Sequence, residues 1–82
     1  MQIDTICKKV KRAFENAGIV FDINEEDPLL EEYIEDSIQF VTSIVEIEKA
    51  LGIEIPEEFL MIENMNTLNS FCRVLQDIIN NT

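Results

Sequence analysis

Glu35-Asp36-Ser37-Ile38-Gln39-Phe40-Val41-Thr42-Ser43-Ile44-Val45-Glu46-Ile47-Glu48-Lys49-Ala50-Leu51-Gly52 is the stretch on which the reading of this chain turns. It reads as one helix, about 36–51, with a serine in its first turn. Asp36 is a suitable N-cap, because its carboxylate accepts from the free backbone N–H groups of the first turn, and Gln39 three residues on completes a capping-box pattern. Gly52 supplies the stop, since glycine takes a left-handed cap without steric cost. Phe40, Ile44, Ile47 and Leu51 recur at steps of four, three and four, the spacing of one helical face, and should point into a core. Ile38, Val41 and Val45 form a second apolar stripe on another face. A helix apolar on two faces is either wholly buried or shows one of them to a partner. In so short a chain the second reading is the more economical.

The chain around this helix has 82 residues, one domain's worth, enough to bury only about 60–65% of the unfolded surface in a single small core. At 46% hydrophobic and 28% charged it is a packed domain, not a disordered tail. The net charge of −11 leaves little to neutralise phosphates, so nucleic acid is not an expected partner. The same charge favours partners with basic patches and opposes self-association, so a monomer is expected. No apolar run approaches the roughly 20 residues that span a bilayer, and Met1 to Arg12 has no signal-peptide core. No membrane association is expected, and the expected compartment is the cytoplasm. Cys7 and Cys72 stand alone, with no framework spacing, which predicts two reduced thiols, partly buried.

A first helix is predicted at about 3–17, with Ile3, Ile6, Val10, Ala13, Phe14 and Ala17 at helical spacing and Gly18 as its stop. Lys8, Lys9, Lys11 and Arg12, four of the six basic residues, lie on its other faces. They read either as a contact for an anionic surface or as a solvated face that offsets the acidic remainder, and the second is expected. A long connection, 18–35, follows. Asp27-Pro28 marks a turn or the start of a short helix with proline at its first position, and Leu29, Leu30, Tyr33 and Ile34 predict one or two helical turns before Ser37. After Gly52 an extended connector leads to a short helix at about 56–62, with Pro56 at the start, Glu57 and Glu58 in the first turn and Phe59, Leu60 and Ile62 as anchors. A last helix is predicted at about 67–79, capped by Thr67 or Asn66 and carrying Leu68, Phe71, Cys72, Leu75, Ile78 and Ile79. The fold class is all-α: a small bundle of three longer helices plus one short helix, in one domain spanning 1–82.

The chemistry is sparse. There is no histidine, so histidine-based nucleophile activation and histidine-ligated metals are excluded. The only glycines, Gly18 and Gly52, have capping roles, which leaves no phosphate-cradling loop. Asp22, Asn24 and Glu26 imitate the start of a calcium loop, but the sixth position is Asp27 instead of glycine and the twelfth is Tyr33 instead of glutamate. No metal site and no intrinsic enzyme are expected. What remains is Ser37, a primary hydroxyl at a helix start where free N–H groups and the dipole favour a phosphate. Alone, an Asp-Ser pair before a helix is ordinary capping.

The surrounding residues add more. Asp36, Ser37 and Ile38 resemble the Asp-Ser-Leu signature of acyl and peptidyl carrier proteins, and the likeness continues through Glu46, Glu48 and Leu51 to Ile53-Glu54-Ile55-Pro56-Glu57-Glu58, similar to the EIP(D/E)E run of that family. It covers about the C-terminal two thirds of the chain. The resemblance implies an acyl-carrier-protein-like bundle in which a phosphopantetheinyl transferase moves 4′-phosphopantetheine from coenzyme A onto Ser37. The arm then holds an acyl or aminoacyl group as a thioester for loading, condensing or transferring enzymes of a fatty-acid, polyketide or nonribosomal-peptide type of pathway. Carried over by position, Ser37 is the modified serine, Asp36 the acid before it, and Ile38, Val41, Thr42, Val45 and Glu48 the partner-docking set. Three departures accompany it. Ile34 stands where the family often has glycine, implying a tighter or more helical approach to the serine. Gln39, Thr42 and Lys49 stand where fatty-acid carriers commonly have acids, which thins the negative charge of the docking face and sets a dedicated natural-product or specialised lipid pathway at least level with general fatty-acid synthesis. About two extra residues around Phe59 to Met65 bear on the gap beside the arm. The competing readings are an unmodified acidic helical interaction module that docks a partner through Ile38, Val41 and Val45, and an acidic metal or calcium binder.

Overall fold

A computed structural model of the chain describes residues 2–59 and 67–81. The fold is all-α: α1 (Ile3–Asn16), the single turn α2 (Leu30–Tyr33), α3 (Ser37–Leu51) and α4 (Leu68–Asn80), with a 3₁₀ turn at Glu57–Phe59. The remainder of the short helix expected at 56–62, with Leu60 and Ile62, and the candidate cap Asn66 lie outside the described residues, as do the extra residues from Leu60 to Met65.

Each long helix starts or stops on local chemistry. α1 closes in a Schellman turn: the N–H of Gly18, at φ 93°, donates to Glu15 O at 3.0 Å, and the N–H of Ile19 reaches back to Phe14 O at 2.9 Å. Phe14 and Ile19, the apolar pair that brackets such a turn, are both in the core. α3 ends at Gly52, φ 66°, where the N–H groups of Gly52 and Ile53 converge on Glu48 O at 2.8 and 3.2 Å. At the start of α4, Thr67 Oγ1 accepts from Ser70 N at 3.1 Å, Asp27 Oδ1 from Asn69 N at 2.9 Å and Pro28 O from Leu68 N at 2.9 Å. Three of the four donors that a helix N-terminus leaves free are thus satisfied, two of them from far away in sequence.

That pinning explains the long connection. Leu29 and Thr67 form an isolated antiparallel bridge, and Pro28 is buried. Proline was a candidate first residue of a short helix, but the helix begins at Leu30, because Pro28 and Leu29 are occupied in extended pairing with the start of α4. A ring ladder steadies the rest of the loop: Phe21 meets Phe14 edge-on at 5.4 Å and Tyr33 at 4.9 Å, and the Tyr33 hydroxyl donates to Glu25 Oε1 at 3.3 Å. The Asp22 and Asn24 positions make a turn of their own, with Asn24 N–H donating to Asp22 Oδ1 at 2.9 Å.

The core joins Ile6, Val10, Ala13 and Phe14 of α1, Ile44, Ile47 and Leu51 of α3, and Leu68, Phe71, Cys72 and Leu75 of α4, with Ile19, Leu30 and Ile55 closing it from the connections. Phe40, assigned by spacing to the inward stripe of α3, is only half-buried at the end of it. α1 packs against both α3 and α4. No helix of the described residues is long and apolar enough to cross a membrane. Cys7 and Cys72 are free thiols. Burial first, and then a side-chain hydrogen bond with Cys7 that favours the protonated form, pushes the Cys72 thiol well above its ordinary pKa.

Candidate functional site

Ser37 is the first residue of α3 and its side chain is exposed. The preceding segment delivers it there in extended backbone: Ile34 at φ −84°, ψ 112° caps the end of α2, and Asp36 lies at φ −152°, ψ 172°. The more helical approach expected from Ile34 is therefore not what forms. Ile34 is half-buried against the core, and anchoring that side chain draws the chain out straight.

Asp36 holds the N-cap, its Oδ1 accepting from Gln39 N at 2.7 Å. The reciprocal half of a capping box would have Gln39 accept from the Asp36 N–H. Instead Gln39 Oε1 accepts from Glu35 N at 2.9 Å, one residue earlier, so the glutamine braces the approach strand. Among the described residues the Ser37 hydroxyl makes no hydrogen bond and is left to the solvent. The cap and the free hydroxyl thus belong to separate residues. Asp36 satisfies the backbone, and Ser37 stands at the positive end of the helix dipole with its oxygen uncommitted.

The outward stripe of α3 lies beside it. Ile38 is 78% exposed, Val41 58% and Val45 41%, an apolar ridge that nothing in the chain covers among the described residues. Two shallow hollows flank the serine. One, of about 280 Å³, is lined by Ser37, Ile38, Val41 and Thr42. The other, of about 240 Å³, is lined by Ile34, Glu35, Asp36, Ser37 and Phe40. A group attached at Ser37 through a phosphate would find a favourable dipole at its root and apolar walls on both sides, so these residues fit a phosphodiester-linked arm.

The remaining candidates behave differently. The Thr42 hydroxyl turns back to donate to Ile38 O at 2.9 Å, and the residue is exposed beside the ridge. Ser43, one position further, is fully buried and donates to Gln39 O at 2.8 Å. Glu48 does not join the ridge. It is half-buried and its Oε2 accepts from Ile55 N at 2.8 Å, fixing the connector that leaves α3. What sequence spacing did not single out is a groove of about 440 Å³ between α1 and α3, where Lys9, Arg12 and Lys49 come together. The cations of α1 were visible as a cluster, but their juxtaposition with Lys49 depends on how the two helices pack.

No curated protein and no solved structure gives a match to this chain. The sequence model of one family does: that of the phosphopantetheine attachment site, over residues 4–75. That span contains α1 from its second residue, the whole of α2 and α3 and most of α4, with Ser37 at its exposed helix start, and the chain accordingly belongs to the phosphopantetheine attachment site family.

Proposed function

We propose that this carrier domain bears its 4′-phosphopantetheine on Ser37 and presents an acyl or aminoacyl cargo to partner enzymes that grip the Ile38–Val41–Val45 ridge. The observation that carries the reading is the exposed, uncommitted Ser37 hydroxyl at the start of α3, beside a ridge of three exposed aliphatic side chains. When attached, the prosthetic group supplies a thiol that holds the cargo as a thioester. The chain's own residues do the rest: Asp36 orders the first turn, the free N–H end of α3 favours the phosphate, and Ile34 and Phe40 offer an apolar wall. Nothing in this division of labour needs catalysis by the carrier itself.

The replacement of acids by Gln39, Thr42 and Lys49 supports a dedicated natural-product or specialised lipid pathway over general fatty-acid synthesis. The partners on this reading are a phosphopantetheinyl transferase followed by loading, condensing or transferring enzymes.

The test is intact mass after incubation with coenzyme A and a broad-specificity transferase. Wild type gains one phosphopantetheinyl group. Ser37→Ala gains none and keeps its helical circular dichroism, because the cap belongs to Asp36. A wild-type chain that stays unmodified leaves the interaction-module reading in its place, and loss of the fold in Ser37→Ala makes the serine structural.

A further inference from the structure

The outward face of α3 continues past the ridge. Ile38, Thr42, Val45 and Lys49 recur at steps of four, three and four, so Lys49 ends the same stripe about 18 Å along the helix from Ser37. There it meets α1 across the groove of about 440 Å³, where short side chains at Ala13 and Ala50 leave space between Lys9 and Arg12 on one wall and Glu46 and Lys49 on the other.

Three carboxylates of α3 and its cap are already engaged. Asp36 caps α3, Glu48 holds the Ile55 N–H, and Glu46 lies 3.9 Å from Lys49. Lys9 and Arg12 have no carboxylate within ion-pair distance among the described residues, although the chain carries 17 acids. A face that ends in three cations against one carboxylate, on a chain of net charge −11, has the opposite sign to the molecule that bears it.

Resting on the carrier reading, we propose that the enzyme that docks on this chain presents an apolar patch to Ile38 and Val41 and, about 12–17 Å further along α3, carboxylates to Lys9, Arg12 and Lys49. Net charge alone would call for a basic partner, and the sign at contact decides against it. At physiological salt the field of the distant acids is screened beyond about 8 Å, while groups in the groove act at contact distance. Complementary charge of this kind sets register and selects between partners.

The test uses the full-length ¹⁵N-labelled chain and two synthetic peptides with leucines in one half and either glutamates or lysines in the other, at physiological salt. The glutamate peptide is expected to shift the amides of Ile38, Val41, Lys9, Arg12 and Lys49. The double variant Lys9→Glu/Arg12→Glu, both exposed and checked for helicity, is expected to weaken it about tenfold, roughly threefold per reversed charge. Larger shifts at these amides with the lysine peptide, no shifts with the glutamate peptide, or unchanged affinity in the double variant overturns the proposal. Loading is read separately by mass. A chain that gains phosphopantetheine yet does not discriminate between the peptides overturns the charge assignment alone, and one that discriminates but gains no mass overturns the carrier reading alone.

Discussion

Replacing Asp36 separates a backbone cap from a negative charge, two things that this side chain supplies at once. Its Oδ1 accepts from Gln39 N at 2.7 Å, a short bond at the positive end of α3. Removing an N-cap acceptor costs about 1 kcal/mol, and losing a negative charge from the first turn costs about 0.5 kcal/mol more. Asp36→Ala loses both, roughly 1.5 kcal/mol in all. Asp36→Asn keeps an oxygen that ranks with aspartate as a cap and loses only the charge, about 0.5 kcal/mol. In a domain of this size 1 kcal/mol moves the midpoint by about 4–8 °C, so the alanine variant should melt about 6–12 °C below wild type and the asparagine variant about 2–4 °C below. Thermal unfolding followed by far-UV circular dichroism resolves the two. Transferase loading, measured by mass well below both midpoints, then shows whether the charge is also read by the enzyme: slow loading of a well-folded Asp36→Asn chain assigns it that second role. Equal melting of the two variants would refute the capping argument, and so would an alanine variant as stable as wild type.

Three further outcomes follow from the geometry. Ile38→Gln/Val41→Gln should change stability by less than about 0.5 kcal/mol, since both side chains are exposed, while slowing phosphopantetheine loading; a chemical melt and a loading time course check this, and unimpaired loading removes the ridge from docking. Glu48→Ala should cost about 1–3 kcal/mol by stranding the part-buried Ile55 N–H, and Glu48→Gln, which keeps an acceptor, clearly less; equal losses in urea melts would show that the hydrogen bond is not what Glu48 contributes. Cys72 gives a pH dependence. Its folded-state pKa is raised, so above about pH 8.5 the unfolded chain sheds a proton that the native chain keeps, and stability is full below that pH and falls above it by up to about 1.4 kcal/mol per unit. Cys72→Ala is less stable throughout but should show a flatter decline in the alkaline range, and parallel declines would refute the assignment.

Much of the bundle was legible because its determinants are local. Apolar spacing marks α1, α3 and α4, and the signals at Gly18, Asp36, Gly52 and Thr67 act through backbone groups within a few residues of themselves. The outward stripe of α3 was legible for the same reason: periodicity gives the face of a helix without knowing its neighbours. What depends on long-range placement was not. Nothing near Pro28 announces that its carbonyl will serve Leu68, forty residues on, and so Pro28 read as part of a turn or as a helix start. Glu48 lies at the edge of the ridge by spacing, yet the connector after Gly52 turns back beneath it and takes its carboxylate inward. Gln39 matches a capping box in type and position, but the extended backbone at Ile34 to Asp36 puts the Glu35 N–H within its reach. The groove of Lys9, Arg12 and Lys49 needs two helices in contact before it exists at all.

The bridge between Leu29 and Thr67 bears on how the chain tolerates changes in length. Residues 27–29 are clamped to the start of α4 by two backbone-directed hydrogen bonds and a buried proline, and Ile34 is seated against the core, so the spacing from clamp to serine is set at both ends. An insertion between Leu29 and Ser37 would have to bulge outward or slide the serine off the helix start. Upstream of the clamp, residues 23–26 are exposed and lightly bonded, and an added residue there would only lengthen a surface turn. Insertions and deletions compatible with a working carrier should therefore gather on one side of Asp27 and be purged on the other.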